Sequence, residues 1–168
     1  MTHKGEESRL VLTTRIASEA DLESLVRLAV ALRDQLERPV PLEAEFRASI
    51  AVLLNDASTE FFLAWDAQKG AIGYVQARYR YSAWISALEV ELEDVFVAPE
   101  ARHRGVGLQL VQFAIDRAIG RNCRSMGLNT NERNEGALTL YRRLGFSSER
   151  SHWRGGRQLW LNKPLRVG

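Results

Sequence analysis

The sequence predicts a single α/β domain, on three observations. Strand-like apolar runs and helix-periodic segments follow one another along nearly the whole of the 168-residue chain. Asp66-Ala67-Gln68-Lys69-Gly70 separates two strand-like runs and so marks a hairpin. From Leu92 to Leu110 an apolar strand carrying Glu93 and Asp94 turns at Pro99, passes Arg102, Arg104, Gly105 and Gly107, and enters a helix.

Composition bounds what such a domain does. A chain that is 45% hydrophobic builds a sizeable core without covalent staples. Twenty-three basic against 21 acidic side chains leave a net charge of +2, too balanced to argue for nucleic acid. The basic residues concentrate in the C-terminal half. Cys123 is the sole cysteine, so an internal disulfide and a four-cysteine metal site are excluded, and no metal is expected. Residues 1–8 are polar and without periodicity, expected to be flexible, and residues 9–168 are expected to form the domain. No run reaches membrane-spanning length, so a soluble, cytoplasmic protein is expected.

The elements follow in order. Leu10 to Ile16 alternates as a first strand. Ser18 and Asp21 make a helix cap, and Leu22, Leu25, Val26, Ala29, Val30 and Leu32 keep helical spacing until Glu37-Arg38-Pro39-Val40-Pro41. A second helix is expected from Leu42 to Leu54, with Phe46, Ile50, Leu53 and Leu54 buried. Glu60 to Trp65 and Ala71 to Tyr79 form the hairpin, and Trp84 to Val97 returns as a third long strand. The Arg78 to Trp84 connection is aromatic and basic, which suits acceptor binding, a dimer contact or plain packing. Leu108, Val111, Ile115, Ala118 and Ile119 predict a helix ending at Gly120. Arg124 to Thr130 reads as a strand, Asn134 to Leu144 as a helix stopped by Gly145, and Phe146 to Trp153 with Arg157 to Leu161 as a closing hairpin.

The turn before the third predicted helix suits an anion. A helix start leaves N–H groups unpaired and carries partial positive charge, and glycines let the backbone approach a phosphate closely. Arg102 and Arg104 add charge at the same place. The dinucleotide fingerprint fails because Leu110 occupies its third glycine position, and the Gly-Lys-Ser/Thr of nucleotide hydrolases is absent. A ligand-free glycine turn is the plain alternative.

Arg102-x-x-Gly105-x-Gly107 after a strand, followed by Asn134-x-x-Ala137-x-x-x-Tyr141-x-x-Leu144-Gly145-Phe146, resembles the GCN5-related N-acetyltransferase family. The resemblance implies a mixed, mostly antiparallel sheet flanked by helices on both faces, acetyl-CoA as co-substrate, and acetyl transfer to a primary amine by direct attack. It implies that Phe96 and Val97 pair through their main chain with the pantetheine arm. Arg102, His103, Arg104, Gly105, Val106, Gly107 and Leu108 would grip the pyrophosphate, mainly with backbone amides, although an exposed loop imidazole is the plain account of His103. Leu92-Glu93-Asp94-Val95-Phe96-Val97 is similar to the corresponding stretch of polyamine and diamine acetyltransferases, which points to a small cationic amine as acceptor ahead of a protein amine. A homodimer is expected, since dimers are common in the family; no nucleic-acid or membrane partner is expected.

The resemblance, read together with elementary chemistry, implies the remaining roles. An alkylammonium with a pKa near 10.4 is only about a thousandth neutral near pH 7.4, a deficit of roughly 4 kcal/mol. A nearby base is therefore needed, and the resemblance, in whose arrangement Glu93 faces the site, makes Glu93 the candidate, directly or through a water. Glu91 shares its face by the period of two, whereas alternation turns Asp94 away, unless a bulge exchanges them. The alternative for the three acids is a solvated cluster that only attracts a cationic acceptor. Tyr141 is the candidate acid for the departing thiolate, since a phenol stays protonated at neutral pH. Asn134, seven residues earlier, lies about 10 Å away along a helix axis and suits the pantetheine or phosphate arm. The alternatives are a core aromatic at Tyr141 and, for the whole chain, a non-catalytic acyl-CoA-binding module.

Overall fold

Near-continuous apolar sequence and tight turns between strands build the sheet. In the computed structural model, which describes residues 12–148, 161, 163 and 164, five strands lie in the order β1-β2-β3-β4-β5. They are β1 (Leu12–Ile16), β2 (Thr59–Asp66), β3 (Gly70–Ser82), β4 (Ala87–Val97) and β5 (Cys123–Leu128). The first four pair antiparallel, and β4 with β5 is parallel. The sheet is mixed and mostly antiparallel, as expected. Phe61, Phe62, Leu63 and Ala64 on β2 are all buried, as a strand covered on both faces requires.

Helices cover the two faces. On one, α1 (Leu22–Gln35) and α2 (Glu43–Leu54) bring Leu25, Leu28 and Ile50 against Phe61, Leu63, Tyr74 and Phe96. On the other, α3 (Val106–Gly120) packs with Phe113 edge-on to Phe62, their ring centroids 5.4 Å apart. Glu60 on β2 ties the far end of α3 to the sheet, accepting from Arg117 at 2.6 Å and Tyr79 at 2.8 Å, with Arg121 3.1 Å away. None of the described helices is long and apolar enough to cross a membrane.

The chain separates into two compact units, Met1–Asn131 and Glu132–Gly168. The second contains α4 (Glu135–Arg143), whose N-cap is Asn134 and whose end is followed by Gly145 at a φ of 88°. The predicted hairpin beyond Phe146 lies outside the described residues for nearly all of its length, as do Leu10 and Val11 of the first predicted strand.

Three expectations are corrected. The strand after the basic connection begins at Ala87, not Trp84: residues 83–86 form a turn, Ser86 takes a φ of 49°, and Trp84 is 99% exposed. The helix expected from Leu108 begins at Val106, and its buried residues are Val106, Leu110, Val111, Ala114 and Ala118, with Ile119 exposed. The alternation expected along β4 breaks at Glu93, as described below.

Two outcomes test this packing. A Cβ at Gly73 would lie 2.8 Å from the Phe96 carbonyl oxygen and 3.1 Å from Leu110 Cδ1, so Gly73→Ala should lower unfolding stability by about 1–3 kcal/mol, measured by denaturant titration. Buried Asp21 caps the entry to α1, accepting from the Ser18 N–H at 2.9 Å and from both Arg15 terminal nitrogens at 2.7 Å. The Arg15 guanidinium holds its carboxyl near a pKa of about 2, below the ordinary 3.8. The folded pKa lies below the unfolded one, so this stabilisation is present above pH ~4 and is lost as pH falls toward ~2. Asp21→Asn should flatten that part of the stability–pH curve.

Candidate active site

The parallel pairing of β5 with β4 ends at Leu92↔Leu128. Among the described residues, Glu93 to Val97 therefore have no strand partner on that side, while β3 still pairs with Asp94 to Val97 on the other. Backbone groups left open inside a sheet require a partner. Phe96 and Val97, the expected pantetheine contacts, lie in this open stretch. The Val97 carbonyl accepts from Arg102 Nε at 3.0 Å.

A bulge sits at the same point. Gln76 pairs with Asp94 and Ala77 with Leu92, which leaves Glu93 as the extra residue on β4. Antiparallel partners share a face, so Glu91 (opposite Arg78) and Asp94 (opposite Gln76) both fall on the face that carries Tyr74. Glu93 reaches the same side chains, accepting from Gln76 Nε2 and from Arg78 Nε at 2.8 Å. The bulge thus overturns the expectation that Asp94 turns away.

These carboxylates have different surroundings. Glu91 accepts from Asn129 at 3.2 Å. Asp94 is half-buried and accepts from the phenol of Tyr74 at 2.9 Å. Burial pushes the Asp94 carboxyl above its usual range; the Tyr74 hydrogen bond opposes this, Glu93 adds to it, and Arg38 opposes it. Sequence reasoning missed Tyr74, Gln76 and Arg38 and named Arg78 only within the basic connection. Tyr74, Gln76 and Arg78 stand two apart on β3, a signal readable only once the register with β4 is known.

Beyond Val97, a single helical turn at Pro99–Ala101 leads to Arg102, His103, Arg104 and Gly105. Gly105 is the N-cap of α3 with a φ of 80°, and a Cβ there would meet nothing within 4 Å. A side chain there would be strained by the backbone conformation, and the space in front is open. The helix start has no side-chain cap and no acid in its first turn, so the N–H groups of Val106, Gly107 and Leu108 carry their positive end outward uncompensated. Gly107 lies inside that first turn, so only Gly105 of the pair needs the left-handed conformation.

The basic side chains here divide their roles. Arg102 is engaged within the protein: besides the Val97 carbonyl it donates to Gln35 Oε1 at the end of α1, and its guanidinium stands 6.0 Å from the centroid of the Phe96 ring. It braces the turn. Arg104 and His103 are exposed, and His103 takes a φ of 59°.

Asn134 and Tyr141 belong to the second unit. Asn134 is the cap of α4 rather than part of it, its Oδ1 accepting from the Ala137 N–H at 3.3 Å. Tyr141 is 8% exposed and packs edge-on to Phe146, centroids 5.7 Å apart. Burial raises its pKa, which keeps the phenol protonated at neutral pH. Among the described residues no three His, Cys, Asp or Glu side chains are grouped as a metal would need.

Residues 25–146 match the family model described as Acetyltransferase (GNAT) family. The chain is 36% identical over 93 residues to streptothricin acetyltransferase of Streptomyces lavendulae, covering 55% of this chain and 47% of that one. It is 30% identical over 118 residues to aminoglycoside N(6')-acetyltransferase type 1 of Salmonella typhimurium, covering 68% and 80%. It spans less than half the length of several curated relatives that it matches. The solved aminoglycoside N-acetyltransferase AAC(6')-Iy in complex with CoA superposes with a TM-score of 0.76 at 23% identity, over 95% of this chain and 99% of that one.

Proposed function

Because the chain belongs to the acetyltransferase (GNAT) family, we propose that it transfers an acetyl group from acetyl-CoA to a primary amine by direct attack. The observation that carries the proposal is the stretch of β4 beyond Leu92, open on one side and leading through Gly105 into an uncapped helix start. Phe96 and Val97, in the stretch with no strand partner on that side among the described residues, suit the pantetheine arm, apart from the Val97 carbonyl that Arg102 already occupies, and the N–H groups of Val106, Gly107 and Leu108 suit the pyrophosphate. Arg102 supports that cradle from behind, while Arg104 and His103 supply exposed cationic and polar groups at its rim. Asn134 is assigned to the pantetheine or phosphate arm through its remaining amide group. When bound, acetyl-CoA supplies the activated acyl group; the protein's own residues orient it and move protons.

Glu93 accepts the proton of the acceptor ammonium, directly or through a water, and Tyr141 gives its proton to the departing thiolate. Gln76 and Arg78 support the first role by fixing the direction of the Glu93 carboxylate. The burial of Tyr141 supports the second, since a phenol kept protonated is a competent acid at neutral pH. The acceptor is a small cationic amine, as the acids at the bulge favour and as the names of the streptothricin and aminoglycoside relatives suggest. The reading extends to a cytoplasmic homodimer.

Thiol release from acetyl-CoA over a panel of polyamines, aminoglycosides, amino acids and peptides tests the proposal. Binding of acetyl-CoA without release for any amine would make the chain a non-catalytic binding module. Tyr141→Phe should lower kcat by about 10²-fold or more while leaving the Kd for acetyl-CoA unchanged; equal turnover would remove Tyr141 from the mechanism. Glu93→Gln should lower kcat by at least about tenfold at neutral pH, and an unchanged kcat would assign the proton to another group.

A further inference from the structure

Tyr81 at the end of β3 and Trp84 in the turn that follows take no part in the site described above. Trp84 is 99% exposed, which excludes plain packing within the chain. β4 starts at Ala87, beside this turn, and at about 3.3 Å per residue Glu93 lies roughly 20 Å further along it, which excludes acceptor binding. Next to the turn is an open groove of about 620 Å³, whose walls include Tyr81, Ala87, Leu88, Ile119, Arg121 and Cys123. The pairs Tyr81↔Leu88 and Ser82↔Ala87 bring the turn to the edge of that groove. Tyr81 is 70% exposed and Ile119, near the end of α3, is 66% exposed.

Apolar surface gathered in one place and left in water marks a contact face. Trp84, Tyr81 and Ile119 together expose roughly 500 Å² of side chain, at about 150–250 Å² for a whole aromatic, so covering the patch on two copies removes about 1,000 Å², the size a specific interface needs. The charges at this end are largely spent within the chain. Glu89 holds Arg80 at 2.5 Å, and Glu60 lies 3.1 Å from Arg121, whose guanidinium also stands 3.8 Å from the centroid of the Tyr79 ring. An acidic partner or a nucleic acid would have to break those pairs, whereas a second copy brings an apolar centre and the same balanced rim. We propose that this face joins two copies of the chain about a two-fold axis, Trp84 of each copy entering the groove of the other between Tyr81 and Ile119. A two-fold contact is self-complementary, and this face carries both halves, a projecting indole and an apolar recess. Arg124, exposed at the rim of the groove, offers a cation to the face of the entering indole. This assignment rests on the homodimer reading, for which it supplies the face, and is independent of acetyl transfer.

Sedimentation equilibrium of the full chain over about 1–100 μM tests it, since a contact of this size associates in the micromolar range. The unaltered chain should dimerise, and added salt should not weaken the dimer, because the contact is apolar. Trp84→Ala and Ile119→Ser should each raise the dimer Kd by at least about thirtyfold, the loss of a buried anchor, with an unchanged circular-dichroism spectrum because both side chains are mostly in water. Cys123 lines the groove, so its labelling by a disulfide reagent should slow as the unaltered chain is concentrated and should not slow in Trp84→Ala. A chain that is monomeric throughout overturns the homodimer reading and this face together. A dimer whose Kd neither substitution moves overturns this face alone, and so does one in which Cys123 labels equally fast at every concentration. A monomer whose fluorescence responds to polyglutamate or to a single-stranded oligonucleotide, with the response lost in Trp84→Ala, gives the face to an acidic partner or a nucleic acid and overturns it as well.

Discussion

Past Leu92, β4 keeps β3 on one side and loses β5 on the other, and the arrangement of the site follows from that asymmetry. A strand with two partners has no main-chain groups to offer a ligand; one whose partner stops leaves a row of them directed into a gap. The bulge at Glu93 falls where the pairing ends. It puts one more residue into β4 than β3 can match, so that Glu91, Glu93 and Asp94 are presented with Tyr74, Gln76 and Arg78 instead of being divided between the two faces. One irregularity in the ladder thus yields both an open backbone and a concentrated set of acids.

An open strand needs rigid support, and the structure provides it from both faces. Gly73 lets the Phe96 carbonyl and Leu110 of α3 approach the neighbouring strand more closely than any side chain would permit. Arg102 joins the Val97 carbonyl, the Phe96 ring and Gln35, fixing the turn to the end of α1. At the other end of α3, Glu60 gathers Arg117, Arg121 and Tyr79. The helix that follows the open stretch is therefore tied down near its start and at its far end.

Much of this was legible in the amino-acid order. The Ser18 and Asp21 cap, the hairpin around Gly70, the helix across Val111 to Gly120 and the stop at Gly145 each depend on neighbours a few residues away, and each appears where expected. The errors share a different origin. Trp84 has strand propensity but stands exposed in a turn, because the β3–β4 register and not the residue decides where the strand begins. The buried residues of α3 differ from the expected stripe because the sheet beneath selects which of several apolar positions is covered. Apart from these errors, Arg102, expected to add charge for a ligand, also donates to partners as distant as Gln35, a contact that its neighbours in sequence do not reveal.

The sequence by itself determined the order of strands and helices, the glycine turn and the identities of the ionisable groups, since these rest on propensity, period and side-chain chemistry within short windows. Only the tertiary structure decided which carboxylates share a face, which of them already hold a cation, and that a buried phenol on β3 meets Asp94 on β4. Those facts depend on one extra residue in a pairing between strands, and the physical effect of such a slip, turning a side chain from one face to the other, leaves no mark on the local pattern of either strand.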